Sequence, residues 1–464
     1  MLPWPQRLHW LKNPWTWVIV AGALRFAVLL SLPHTAHTLA VPLNASQSEP
    51  KVVPAVTAFL QSRVKLVPLT EDEGEYDEMA RNLVSGRGFV LDSKWLITTP
   101  GQPVAYAGFT YPAFVASVYW IFGAGQELPL FVVQILVASV AAWLVYTSAE
   151  RVGGALAGAV AGAFYAFHPT LIWSSVAMMS ESICVPLVAL LLYLLSQPSP
   201  HPLRRVLLLA GTMALLCLAR STFSYFVWIV AGLLIFEVRK RPTWWARVGP
   251  AFVFVASFTA CCSPWTIRNY LHWKRIIPFS TKAGVNAWVH NHPGLRVEFG
   301  SGAIIGPMPV DVFDSKIQDL PDEGAREAAL MKLFLSFVRT EPMKFLGLVW
   351  MRFWMAVLPV AVVSKSAFAI ASAWYAKGTV LVALAIALWL KQARVLLRIL
   401  PVVLFALYWV LMQSLAGSGL RYRIPSDPAW AIMLGVLSSS IIAWTRIRLA
   451  AMTVQSVGPA DRKV

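Results

Sequence analysis

A succession of apolar segments, each close to the length of one bilayer crossing, constrains this chain more than any motif in it. They fall at residues 15–32, 128–149, 155–173, 181–197, 204–219, 222–238 and 247–264, and again at 367–390, 397–416 and 427–445. About 17–25 apolar residues make one helical crossing, and a helix satisfies its own backbone where lipid cannot. The fold class expected is therefore an all-α polytopic membrane protein. Composition agrees, with 58% of the 464 residues hydrophobic, 13% charged and a mean hydropathy of +0.62, outside the range of soluble domains.

The net charge of +17 would fit a nucleic-acid ligand if it were clustered on a soluble face. Here the basic residues lie in short turns: Arg151, Arg204-Arg205, Arg239-Lys240-Arg241 with Arg247, Lys391 with Arg394 and Arg398, and Arg446 with Arg448. Alternation of basic and non-basic turns follows the positive-inside rule and suits anionic lipid headgroups, so membrane lipids, and no nucleic acid, are the expected contacts. Arg7 and Lys12 precede the first segment, which reads as a retained signal anchor with a cytoplasmic N-terminus in an inner (plasma) membrane of bacterial type. Arg25 inside it serves either helix pairing or a polar site.

This topology places two long polar stretches outside, 33–127 and 265–366. Segment 111–122 is short and opens on Pro112, and segment 344–363 carries Lys344 and Arg352 among aromatics; both read as interfacial helices. About ten spans result, or eleven to twelve if one of these crosses. The division expected is a seven-span module over 1–264, an external loop region over 265–366 and C-terminal spans over 367–464. Leu330, Leu333, Phe334, Phe337 and Val338 recur at helical spacing, as on an amphipathic helix at the membrane surface or over a site. Cys184, Cys217, Cys261 and Cys262 form neither a disulfide framework nor a CxxC metal pattern. There is no P-loop, dinucleotide fingerprint or GxSxG element.

Chemistry concentrates on the external side. Thr70 to Glu78 holds six acids in nine residues. Thr70 and Glu73 have capping-box spacing, and acids favour a helix's first turn, so helix capping competes with a catalytic base as the reason for the run. Tyr76, Met79, Ala80, Leu83 and Val84 continue a helix that Gly86-Arg87-Gly88 stops. Glu181 opens a span, where it either caps its helix or joins a second carboxylate in acid/base work or in holding a hydroxyl or divalent cation. Arg220, Arg268 next to Asn269, and Arg421 with Arg423 run against the charge rule on this side. Their forked guanidinium groups suit a phosphate, whether a substrate's or a lipid headgroup's. His290 and His292 have weak metal spacing and read better as loop histidines, so no metal site is assigned.

Taken in order, these motifs resemble a family. Asp72-Glu73, Tyr76, the Ala80-Arg81-Asn82-Leu83 and Gly86-Arg87-Gly88-Phe89 stretches, Thr110-Tyr111-Pro112, Glu181, Pro264-Trp265-Thr266-Ile267-Arg268-Asn269-Tyr270 and Arg421-Tyr422-Arg423-Ile424-Pro425 are similar to the GT-C-type membrane glycosyltransferases. The likeness is to the branch of protein O-mannosyltransferases and the lipid A aminoarabinose transferase. It implies a GT-C fold with juxtamembrane helices in the two external loops. It also implies transfer of a sugar from a polyprenyl-phosphate donor to an acceptor hydroxyl of a glycan, lipid or protein. Carried over, Asp72 is the general base, Glu73 its supporting carboxylate and Glu181 the second acid. Tyr76, Tyr111, Arg220, Arg268, Asn269, Arg421 and Arg423 contact substrate, the arginines at the donor phosphate. No cofactor is firmly implied beyond the lipid-linked donor as substrate, and metal dependence stays open, since one or two of these carboxylates can serve as base or as ligands of a divalent cation. A flippase or transporter of a lipid-linked sugar is the alternative, although the repeat symmetry of transporters is missing from the sequence.

Overall fold

The computed structural model describes residues 10–31, 71–196, 201–297, 304–305, 309–357, 380–381, 383–387, 390, 393–416 and 420–456. In chain order the helices are α1 (Pro14–Ser31), α2 (Glu71–Val84), α3 (Thr110–Phe122), α4 (Glu127–Phe167), α5 (Pro169–Ser174), α6 (Glu181–Leu195), α7 (Pro202–Ala219), α8 (Phe226–Glu237), α9 (Trp244–Trp273) and α10 (Lys282–Val289). After a two-residue antiparallel pairing, Arg296–Val297 with Ile304–Ile305, come α11 (Ser315–Gln318), α12 (Glu323–Thr340), α13 (Pro342–Val357), α14 (Ala393–Arg398), α15 (Leu400–Ala416), α16 (Leu420–Arg423) and α17 (Asp427–Ser456). Among the described residues, α1, α4, α7, α9 and the stretch Ile424–Met452 are long and apolar enough to cross a membrane. Shorter apolar helices cover Glu181–Leu195, Ser221–Glu237 and Leu400–Leu415.

The expected segments 128–149 and 155–173 appear as one 41-residue helix, α4, broken at Gly154, whose φ of 79° and ψ of 179° leave the helical region. Glycine takes that conformation at little cost, so the kink is written into the sequence and makes two passes of one helix. The second pass stops at Phe167, before Pro169. The expected end of the seventh span at 264 is too early, because α9 runs through Pro264 to Trp273. A proline removes the N–H that would bond the carbonyl four residues back. Ser263 Oγ donates to that carbonyl, Ala260 O, at 2.9 Å, which lets the helix continue. Residues Arg268 and Asn269 thereby sit on the helix.

Around α4 pack α1 and α17, while α9 packs on α7 and α8, and α13 on α15. The core between them is filled by large rings, including Tyr146, Tyr165, Phe223, Phe226 and Phe405, all fully buried. Arg25 is also fully buried, donating to Ala21 O at 3.0 Å with its guanidinium 5.2 Å from the centre of the Tyr165 ring. That is a helix-pairing role.

The helices give the bundle two chemically different ends. Where α6 finishes, Arg205 at the start of α7 donates to Leu194 O at 2.7 Å and pairs with Glu237 at 2.8 Å. Arg239 and Arg398 line the same region. One helix length away, Arg220 at the end of α7 meets Glu181 at the start of α6, at 2.6 Å. Over this second, acidic end lie α2, α3, α10 and α12. Helix α12 buries Leu330 and Phe337 of the expected apolar stripe, packing on α10. Segment 344–363 is described only as far as 357; it forms α13, whose Arg352 is fully buried and donates to Asn291 Oδ1 at 2.6 Å. All of 33–70, including Thr70, and most of 367–390 lie outside the described residues.

Candidate active site

Helix α2 carries the acidic run, and its side chains divide the labour. Tyr76, Met79 and Ala80 are buried against α3, with Tyr76 meeting Tyr111 edge to face at 4.7 Å between ring centres. Asp77 accepts from Arg81 Nε at 2.8 Å and from Tyr119 Oη at 2.6 Å. Glu78 accepts from the Asp92 and Ser93 amides. Glu73 is buried and accepts from Met178 N at 3.2 Å, so it fastens α2 to the loop that precedes α6.

Two acids of the run converge on one cation. Lys282, the first residue of α10, lies 2.8 Å from Glu75 Oε2 and 3.2 Å from Asp72 Oδ1. Its ammonium is also 4.5 Å from the centre of the Tyr106 ring, close enough for a cation–π contribution. Burial opposes the charge, but Glu75, Tyr76, Tyr106 and Asp72 more than offset it and hold the ammonium well above the ordinary lysine value. The Glu75 side chain is 1% exposed and that of Asp72 is 34% exposed. Asp72 is thus the member of the pair that solvent or a substrate can reach.

Beside this pair stands a polar column on α3, α4 and α6. Tyr111 Oη donates to Gln134 Oε1 at 2.8 Å, as does Ser182 Oγ at 2.9 Å, and Gln134 Nε2 donates to Ser175 O and Ala177 O. The expected site residue Tyr111 is fully buried in this network. Glu181 is fully buried too, and its partner Arg220 spreads over the Tyr422 ring at 5.2 Å. A narrow cleft of about 40 Å³ opens there, lined by Arg220, Thr222, Asn286, His290, Gln413 and Tyr422 among others. Burial, with Arg352 and His292 nearby, pushes the His290 imidazole down to about 4, so it is neutral in this cleft at neutral pH.

Arg268 and Asn269 make structural ties. Arg268 donates to Val104 O at 2.8 Å, to Phe89 O at 3.2 Å and to Asn269 Oδ1 at 2.9 Å, against the Trp265 and Trp273 rings. Asn269 is fully buried and donates to Ile277 O at 2.8 Å. Together they clamp segment 89–104 to the end of α9. Arg423 is 5% exposed in the turn before α17, and burial lowers its guanidinium to about 10 despite Asp427. The Arg421 side chain lies outside the described residues.

Lys282 completes the arrangement, and it did not stand out in the sequence. Lys282 was detectable in principle, as another cation on the side where the charge rule expects few. Among the described residues, no group of three His, Cys, Asp or Glu side chains is placed to hold a metal ion.

With that geometry in place, likeness to known proteins can be weighed. Residues 107–267, from before α3 to within the last turns of α9, match the dolichyl-phosphate-mannose-protein mannosyltransferase family. The structure is similar to the oligosaccharyltransferase AglB from Archaeoglobus fulgidus, in complex with an inhibitory peptide and a dolichol-phosphate. The TM-score is 0.53 and the identity 10%, over 99% of this chain and 53% of that one. It has the GT-C fold. A second structure of the Archaeoglobus fulgidus oligosaccharyltransferase, with zinc and sulfate, gives a TM-score of 0.51 at 10% identity, over 96% of this chain and 51% of that one. The chain thus spans about half the length of these GT-C relatives. ArnT from Cupriavidus metallidurans, bound to undecaprenyl phosphate, is matched at a TM-score of 0.38 and 15% identity, over 96% of this chain and 81% of that one. No curated protein matches the chain in sequence.

Proposed function

We propose that this GT-C chain is a membrane glycosyltransferase that moves a sugar from a polyprenyl-phosphate donor to an acceptor hydroxyl, with Asp72 as general base. The family match supports the reaction class. The observation that carries the assignment of the base is the division of labour on α2. Glu73 is committed to Met178 N and Glu75 is buried, whereas Asp72 is the carboxylate of the three with a third of its side chain exposed. A general base must reach the proton it takes, and the exposure of Asp72 supports that role.

The step balances without a cofactor. Asp72 takes the acceptor's proton as its oxygen bonds to the anomeric carbon, and the bond from that carbon to the donor's phosphate oxygen breaks. The electron pair leaves on the phosphate, where fixed positive charge lowers the barrier. Arg220 in the cleft is the leading candidate for that charge, with Arg423 and Arg421 in the adjoining turn. Glu181 holds the Arg220 fork in place. Base and phosphate on opposite sides of the sugar give inversion. The basic turns at the other end of the bundle support the reading that this site faces the external side of the membrane.

The test is transfer of radiolabelled sugar from polyprenyl-phosphate donors by the full chain in lipid nanodiscs. Asp72→Asn is expected to lose about 100-fold or more in transfer with donor binding retained, while Glu73→Gln, whose amide oxygen still accepts from Met178 N, keeps most of it. Full transfer by Asp72→Asn overturns the base. Donor binding with no transfer by the wild type in any acceptor pool favours the carrier reading instead.

A further inference from the structure

Glu323, the first residue of α12, is outside every role assigned so far, yet it joins the two external loops at the point where the Asp72 pair is built. Its Oε1 accepts from Ala105 N at 3.1 Å and from Thr281 Oγ1, partners 218 and 42 residues away. Each neighbours a residue that touches the Lys282 ammonium: Tyr106 follows Ala105, and Lys282 itself follows Thr281. The carboxyl is 3% exposed, and Oε2 is buried with no hydrogen-bond partner among the described residues.

We propose that Glu323 is a positioning residue for the Asp72–Lys282 pair, holding Tyr106 and Lys282 in register through Ala105 and Thr281. The inference rests on the transferase reading for its effect on activity, and on geometry alone for its effect on Lys282. The groups facing this carboxyl are Arg268 from α9, Glu75 from α2, Tyr106 from the first loop and the Arg275 stem beside Gly324. Arg268 spends Nη1 and Nη2 on carbonyl and amide oxygens, and Lys282 is committed to Asp72 and Glu75. A negative Glu323 therefore has no cation in contact among the described residues, and burial pushes its carboxyl up to about 7. The Thr281 and Ala105 hydrogen bonds favour the charged carboxylate and burial opposes it more strongly, so above that pH the closed arrangement is expected to open more readily than below it.

The test reads Lys282 directly. The full chain in nanodiscs is treated with an amine-reactive acylating reagent, and labelling of Lys282 is measured by mass spectrometry relative to exposed Lys332. Glu323→Ala is expected to raise relative Lys282 labelling about tenfold or more, since it removes the acceptor of two hydrogen bonds, and to lower kcat for transfer with the donor KM unchanged. Glu323→Gln keeps Oε1 as acceptor and is expected to retain protection and activity and to lack the rise in labelling and fall in kcat expected of the wild type as pH passes about 7. Unchanged Lys282 labelling in Glu323→Ala, or the same pH step in Glu323→Gln as in wild type, overturns the proposal. If labelling responds as expected while wild type transfers no sugar, the positioning stands and the transferase reading fails.

Discussion

At the scale of single residues, the acidic end is governed by which carboxylates are given a cation and which are not. Asp72 and Glu75 share Lys282, whereas Glu323 has two neutral donors and an oxygen left over. Burial is the larger influence on Glu323 and raises it from 4.5 to about 7. The folded state therefore holds a proton that the unfolded chain has released, and folding is favoured more strongly at low pH. That contribution is fully present below about pH 4.5 and is lost as the pH rises through about 7. The shift corresponds to roughly 3 kcal/mol across the window. Glu323→Gln has no proton to lose, so its resistance to thermal unfolding is expected to stay level from pH 5 to pH 8 while that of wild type declines. Parallel declines in the two proteins would show that other groups set the pH dependence.

Among the elements, α2 shows what a sequence can reveal and where it stops. Its helical course was legible from Tyr76, Met79, Ala80 and Leu83, and these residues do face α3. The spans were legible for the same reason: apolar spacing is local, and so are kinks such as Gly154. Local spacing also offered a capping box from Thr70 to Glu73; Thr70 lies outside the described residues, and Glu73 also accepts from Met178 N, 105 residues on, a bond that no local window contains. Lys282 meets Asp72 across 210 residues and Glu323 meets Ala105 across 218. No window of sequence contains such pairs, which is why the ties of Arg268 to Phe89 and Val104 could not be read from it. A consequence for α2 follows from the Glu73 bond. Glu73→Ala leaves the buried Met178 amide without its acceptor, at about 1–3 kcal/mol. Hydrogen exchange at Met178 and along α2 is expected to accelerate, with Glu73→Gln close to wild type. Equal exchange in both variants and wild type would mean that packing on α3 alone holds the helix.

Over the whole molecule, a helical bundle with basic and acidic ends is joined to two long loops that close over the acidic end. The join is made by a few buried polar ties. Arg268 holds Phe89 and Val104 from below, while Gln318 reaches Leu96 O at 2.9 Å from above. Arg326 donates to Ile97 O at 2.9 Å, Thr99 Oγ1 at 2.8 Å and Leu320 O at 3.0 Å, and it is 8% exposed. All of these act on residues 89–105, the stretch that leads from the acidic helix to Tyr106. Gly108 fixes the exit of this stretch: at φ 73° a Cβ there would lie 2.5 Å from Leu218 O, while the next amide, Phe109 N, bonds that same oxygen at 2.8 Å. A planar fork can serve three acceptors in fixed directions, and an ammonium on a flexible stem cannot reproduce that. Arg326→Lys is therefore expected to speed hydrogen exchange across 89–105 and 315–323 by about tenfold, the equivalent of losing about 1.4 kcal/mol, and to leave α4, α6 and α7 unchanged. Because the ties are buried, added salt should have little effect on the difference. Combined with Glu323→Ala, which loosens the same stretch from its other end, the effect should exceed the sum of the two, since both variants share residues 89–105 as partner. Acceleration spread evenly through the bundle would instead show that loops and helices open as one cooperative unit, and that the closure over the acidic end has no independent motion by which an acceptor could enter.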